Sequence, residues 1–373
     1  MPDEIVIVDA ARTPLSPAGQ PSPLDSLSEI DLLNELAAGV MDRAGIDTPC
    51  IDEVHGAGIR TDCALESSRF WGFDILYSAS SSLGALFTAV QGIQADPRGV
   101  ALVAAVNHDT AATALHPLPA RSHPVRTNDP RVNAELLVGL HGLTRADVDD
   151  YARQSFERAH ECACSGDYKR EIVPIASHYP PGHITVMCAD KLRQTPDLAA
   201  LDPSPWAIPD GDEQFSDTGV TTMGNSAQPA HGAAAALITS LRRANELGLT
   251  PRARIRQFTE LYRRPGQRYC NLASLATRSV LSECARPATS MDHVEIPDTF
   301  AATAVAWQSE FQINPDLLNP RGGAMPLGDL SHAAGLRSLA TMLGALEDTG
   351  GKYGLIIGAE TSDICHGLII EQY

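Results

Sequence analysis

Five short apolar runs punctuate the chain: EIVIVDA, GVALVAAV, AAAALITS, YGLIIGA and GLIIEQ. Runs this short and this uniformly apolar fit strands buried on both faces, because a strand with one wet face would alternate. Between them lie stretches with apolar residues at helical spacing, among them SEIDLLNELAAGVMDRAG, LTRADVDDYARQSFERAHE, SLRRANELG and GLRSLATMLGALEDTG. Strands buried on both faces need helices to cover them, so the alternation predicts an α/β fold.

A further helix is expected in YSASSSLGALFTAVQGI, residues 77–93, where Leu83, Leu86, Phe87, Val90 and Ile93 fall on one face behind a run of serines. The start of a helix presents outward N–H groups and a dipole that favours negative charge, which makes it a good seat for a nucleophile. The serines have a plainer use, capping the helix and permitting close packing. This serine-led helix with the following GVALVAAVNHDTAA is echoed by LSHAAGLRSLATMLGAL with YGLIIGAETSDICHG. An echo at so long a period predicts a duplicated domain and not a solenoid.

Between about Pro117 and Ala207 the texture changes, with Pro, His, Arg and Asp frequent in HPLPARSHPVRTNDPR, ASHYPPGHITV and LDPSPWAIPDGDEQ. An irregular insertion of this length usually covers a site. The division expected is residues 1–116 with 208–250 as one half, 117–207 as a covering domain, and 251–373 as the other half.

The chain has 373 residues and a net charge of -18, with 28 basic against 46 acidic residues. That charge disfavours nucleic acid and anionic membranes as partners. The opening MPDEIVIVDA carries no basic leader, and no run is long enough to span a bilayer, so a cytoplasmic protein is expected. The 8 cysteines are scattered and are expected to be reduced. His160, Cys162 and Cys164 lie close in HECAC, but residues two apart diverge on a helix, and spacing alone does not specify a zinc site. No metal is expected.

Several motifs in order resemble the thiolase family from end to end: IVIVDAARTPLS, the helix and tail GLTRADVDDYARQSFERAHECACSGDYKREIVPI, LRQTPDLAALDP, VTTMGNSAQPAHGAAAALITSLRRANELGLTPRARI and NPRGGAMPLG. The resemblance implies a duplicated five-layer α-β-α-β-α fold with an inserted loop domain. It also implies a dimer acting on acyl groups carried by coenzyme A. In the family a cysteine thiolate at the helix start takes the acyl group and a histidine activates it. A second cysteine moves the proton on the substrate α-carbon, and an asparagine holds a water of an oxyanion hole.

Carried over residue by residue, the resemblance puts Ala79 at the nucleophile, Pro297 at the asparagine, Asp298 at the neighbouring glutamate, Asp329 at the histidine and Ile356 at the second cysteine. Ala227 and His231 replace the serine and aspartate of another family motif, while Gly358 keeps a glycine whose counterpart gives an N–H to the second oxyanion hole. Ala79 has no nucleophilic atom and Ile356 no proton to move. Pro297 has neither a side-chain donor nor an N–H. The carboxylate of Asp329 opposes an oxyanion instead of stabilising it.

Two functional readings follow. In the first, the chain is a non-catalytic thiolase-like subunit. It forms a homodimer, or a heterodimer with an active thiolase-like or ketosynthase-like subunit, and binds an acyl-CoA or an acyl chain on a carrier protein. No cofactor is required, and a coenzyme A thioester is the ligand the family implies, with Gly358, Ala227 and Arg193 as contacts and Arg153 and Arg158 as further basic candidates for its phosphates. In the second, the chain is an acyltransferase or thioester-processing enzyme with a non-cysteine site, or one catalysing a retro-aldol step; Ser78, Ser80 or Ser81 is the candidate nucleophile, Ser80 or Ser81 with His332 and Asp298 could form a triad, and Asp/His acid–base chemistry is the alternative. His108, Asp109, Asp363 and His366 stand near the same turns, and His231 at a strand start fits a structural role better than a catalytic one. A third possibility, an ordinary thiolase in a shifted register, would have to use Cys63 or Cys365, and neither follows the family pattern.

Overall fold

The computed structural model describes residues 3–59, 76–108, 130–198, 219–264, 271–359 and 363–373. The first half contains β1 (Ile5–Arg12), β2 (Ser16–Pro17), α1 (Glu29–Ala44), β3 (Glu53–Ala57), β4 (Leu76–Ala79), α2 (Ser82–Ala95) and β5 (Val100–Asn107). Then come α3 (Pro130–His141), α4 (Arg145–Ser165) and a hairpin of β6 (Ile175–Ser177) and β7 (Thr185–Met187). The long strand β8 (Ala230–Ser240) and α5 (Leu241–Leu247) return to the first half. The second half contains β9 (Ala253–Tyr262), α6 (Leu272–Cys284), β10 (His293–Glu295), α7 (Ala301–Phe311), α8 (Ala334–Thr349), β11 (Tyr353–Gly358) and β12 (Ile364–Gln372). Cys63, Asp109 and residues 117–129 and 199–207 of the insertion lie outside the described residues.

Strand order makes the duplication explicit. The sheet runs β10-β11-β12-β9-β1-β8-β5-β3-β4, with β1 and β9 meeting in the middle over Val6↔Arg254 and Ile7↔Ala253. Outward from that seam, β1–β8 and β8–β5 are antiparallel and β5–β3 is parallel. On the other side β9–β12 and β12–β11 are antiparallel and β11–β10 is parallel. The two halves therefore repeat one strand pattern, and α2 with β5 corresponds to α8 with β11. This is the relation that the sequence echo suggests.

The layers follow from which faces are apolar. Both half-sheets put one face on the central helices α2 and α8, in a core that joins Ile7, Val103 and Ala236 to Leu86, Leu339, Leu343, Ile356 and Leu368. The outer face of the first half-sheet is covered by α1 through Leu32, Leu36 and Val40. The outer face of the second is covered by α6 and α7, with Trp307 fully buried and its indole N–H donating to Thr277 Oγ1 at 2.8 Å. Five layers result: helix, sheet, helix pair, sheet, helices. Strands buried on both faces cannot alternate in polarity, which is why their runs are so plain in the sequence.

The start of α2 is built by its serines. β4 runs parallel to β3 with Ala57↔Ala79 in register and ends at Ala79. Ser81 caps the helix, its Oγ accepting from Gly84 N at 3.0 Å. Ser82 reaches across to the other half, where its Oγ accepts the N–H of Leu336 at 3.1 Å. That N–H lies in the first turn of α8, whose own preceding residue, Ala333, supplies no side-chain cap. One serine thus caps each central helix, and the Ser82 bond ties the starts of the two helices together.

Candidate functional site

A cavity of about 340 Å³ opens on the second half, beneath the insertion. Helix α3 supplies an apolar wall through Leu136, Leu137 and Leu140, facing Leu272 and Phe300. Its polar floor carries Asp298, Asp329, Arg337 and Ser338, and the end of β11 contributes Ile357, Gly358 and Ala359. Pro297, Ser331 and Ala334 also line it.

Asp298 is fully buried and held on both oxygens, Oδ1 accepting from Ala324 N at 2.8 Å and Oδ2 from Tyr151 OH at 3.3 Å. Tyr151 is positioned in turn by Asn319, whose Nδ2 donates to its hydroxyl at 2.7 Å. The carboxyl can sit there only because residue 323 is glycine: φ is 65°, and a Cβ would lie 2.2 Å from Asp298 Oδ2. Burial pushes the Asp298 carboxyl up to about 6, against the pull of the Ala324 N–H and of Arg337. Arg337 is also buried and donates to Glu295 Oε2 at 3.0 Å, while burial pushes the Glu295 carboxyl up to about 7.

Asp329 is half-buried at the cavity wall. Its Oδ1 accepts from Ser331 N at 2.7 Å, and Thr299 Oγ1 stands 3.4 Å from Oδ2. Its backbone is fixed by bonds with Gln228 and Ala230, which join the turn to β8. Pro297 closes the same wall without an N–H to offer.

With this geometry in hand, the comparisons with known proteins decide the family. The family model described as "Thiolase, N-terminal domain" matches residues 73–242, and "Thiolase, C-terminal domain" matches residues 249–372. The chain belongs to the thiolase family. A protein named 3-ketoacyl-CoA thiolase from Marinobacter nauticus is 26% identical over 408 aligned residues, covering 98% of this chain and 96% of that one. One of the same name from Saccharophagus degradans is 28% identical over 397, with 98% and 96% covered. The crystal structure of the Bacillus anthracis acetyl-CoA acetyltransferase superposes with a TM-score of 0.85 at 24% identity, over 100% of this chain and 99% of that chain, a likeness of fold.

In this thiolase-family chain the cavity gathers Pro297, Asp298, Asp329 and Gly358. Ala79, Ile356, Ala227 and Arg193 are not in its lining. Ala79 is one link away: the carbonyl of Ser80, the next residue, bonds His332 Nδ1 at 2.9 Å, and Ser331 beside His332 lines the cavity. Ile356, the expected second-cysteine position, does not face the cavity. It is fully buried in mid-strand with its side chain in the central core, because side chains alternate along β11. The residues of this strand end that face the cavity are Ile357, Gly358 and Ala359, and none carries a titratable side chain. Gly358 sits against the first turn of α2, where a Cβ would meet Leu83 Cδ1 at 2.5 Å.

Ser81, His332 and Asp298 do not assemble as a triad. Ser81 Oγ caps α2, His332 binds a backbone carbonyl through Nδ1, and Asp298 is held by Tyr151 and Ala324. Among the described residues no hydrogen bond joins Asp298 to His332. The side chain of Ser78 lies outside the described residues. Ala227 serves through its backbone, its N–H donating to Thr299 O at 2.8 Å.

Arg193 donates to the carbonyls of Ser226 and Met325 at 3.2 and 2.8 Å and stacks over Phe156, tying the insertion to the second half. Arg153 pairs with Asp150 and Glu157, and Arg158 donates to the carbonyls of Leu318 and Pro315. These arginines as placed are occupied by the protein's own acceptors. His231 is buried edge-on to His108 with ring centroids 5.0 Å apart, His366 pairs with Glu260, and Asp363 with Arg263. His160 contacts exposed Cys164 at 3.7 Å, while burial pushes the Cys162 thiol up to about 12. Among the described residues no cluster of His, Cys, Asp and Glu could hold a metal ion, and no helix is long and apolar enough to cross a membrane.

Sequence reasoning missed Tyr151, Glu295 and Arg337. Tyr151 sits at a buried position of α4. Glu295 and Asp298 flank a proline in EIPD, two acids beside an apolar strand, a pattern that could have marked buried carboxyls.

Proposed function

We infer that this thiolase-family protein binds an acyl thioester without forming an acyl-enzyme at the helix start, and serves as a non-catalytic partner of an active acyltransferase or condensing subunit. The observation that carries this reading is Ala79 at the end of β4, two residues before the cap of α2. A methyl group cannot attack a thioester, whatever the helix dipole offers. The surroundings agree with it. Asp329 and Pro297 supply no donor for an oxyanion, and Ala359 and Gly358 supply no thiol. Pairing with an active subunit, or a homodimer, belongs to the same reading.

Intact-mass spectrometry and calorimetry after incubation with acetyl-CoA and longer acyl-CoAs test the reading. Reversible binding is expected, with no acyl adduct and no turnover. A covalent acyl group, or release of free coenzyme A above background, would overturn it.

Asp298 favours a second reading, in which a buried carboxyl that titrates near 6 moves protons on a bound substrate. Turnover in the native protein that disappears in Asp298→Asn, with the fold intact by circular dichroism, would decide for it.

A further inference from the structure

The geometry points to a cavity that selects an acyl chain bearing a hydroxyl group over the corresponding ketone, with Asp329 as the selecting residue. This rests on the reading that the cavity holds an acyl thioester.

The charged groups of the cavity differ in how far they are already engaged. Arg337 donates to Glu295 at 3.0 Å, and Arg263 pairs with Asp363. Asp298 is held by a backbone N–H and by Tyr151. Asp329 has one close partner, the Ser331 N–H at 2.7 Å, and a weak one in Thr299 Oγ1 at 3.4 Å. A carboxylate accepts about four hydrogen bonds and donates none. Among the described residues no arginine, lysine or histidine pairs with it. Asp329 therefore presents unused acceptor capacity to the cavity, beside Pro297, which has no N–H to compensate.

A ligand oxygen placed there must donate. A ketone oxygen only accepts, so it would displace water from the carboxylate and leave both groups facing each other without a donor. A hydroxyl on the same carbon donates to Asp329 and removes the conflict. A hydrogen bond to a charged group changes affinity by roughly tenfold to a hundredfold.

The test is calorimetric binding of 3-hydroxyhexanoyl-CoA and 3-oxohexanoyl-CoA to the full-length protein and to Asp329→Asn. The amide of Asn keeps an oxygen for the Ser331 N–H and can both donate and accept. The native protein is expected to bind the hydroxy compound about tenfold or more tightly than the keto compound, and the variant to lose that preference, with its fold checked by circular dichroism. Equal binding, a preference for the ketone, or a preference that survives in Asp329→Asn would overturn the inference and leave the acyl-thioester reading standing. Binding of neither compound would overturn both.

Discussion

At the scale of single residues, two aspartates line the cavity, and their carboxyls behave differently. Asp329 is half-exposed and engaged mainly by a backbone N–H. Asp298 is fully buried, and its desolvation outweighs the hydrogen bonds that favour the ion. The consequence for stability has a definite sign. The folded state holds the Asp298 proton up to about 6, whereas the ordinary value is 3.8, so the folded state binds the proton more tightly between those limits. That contribution is fully present below 3.8 and is lost as pH rises through about 6. Asp298→Asn removes the titration. Urea unfolding of both proteins across this range should show the native protein losing roughly 3 kcal/mol relative to the variant as pH rises. Parallel stability curves would mean that the carboxyl is ionised throughout.

At the scale of elements, small residues tie the starts of the central helices together, above a core of leucines. Ser81 caps α2, Ser82 caps α8 from the opposite half, and Gly358 lets β11 end directly on Leu83. Leu83 is fully buried, so the strand end and the helix start cannot move apart without opening the core. Gly358→Ala would drive a methyl to 2.5 Å from Leu83 Cδ1 and is expected to cost about 1–3 kcal/mol by overpacking. Chemical denaturation measures this, and the cost should fall when Leu83→Ala is added, because the clash then has no partner. Additive effects in that double-mutant cycle would place the strain elsewhere.

At the scale of the whole molecule, the insertion is fastened to the first half by one buried arginine. Arg12, at the end of β1, donates to Glu171 Oε1 from Nε at 3.0 Å and from Nη2 at 2.7 Å, and to both oxygens of Asp190 at 2.6 and 2.8 Å. Backbone bonds reinforce the joint, with Arg12 N donating to Glu171 O and Val173 N to Arg12 O. Removing the cation leaves two carboxylates in a site with almost no water, which costs far more than the pair contributes. Arg12→Met should lower stability by about 3–5 kcal/mol and expose the segment 171–190 to limited proteolysis before the sheets are cut. Loss of the whole fold without that early cleavage would show that the joint does not open separately.

The sequence by itself determined the strands that are buried on both faces, the serine-led helix, its echo in the second half, and the absence of a thiol at Ala79. Each of these is written in consecutive residues, so local burial and side-chain chemistry suffice to read it. Elements with mixed exposure were less legible: β9 is only intermittently buried, and no clear period marks it. The tertiary structure alone decided which distant residues meet. It brought Arg12 to Glu171 across 159 positions and Tyr151 to Asp298 across 147. It also turned Ile356 into the central core and set Ile357, one residue on, on the opposite face at the cavity, with Gly358 and Ala359 at the strand end, since a one-residue step along a strand sends the side chain to the other face. A carboxyl's charge state or a pocket's choice of ligand depends on such meetings, and these are fixed by packing between the layers, not by any single stretch of chain.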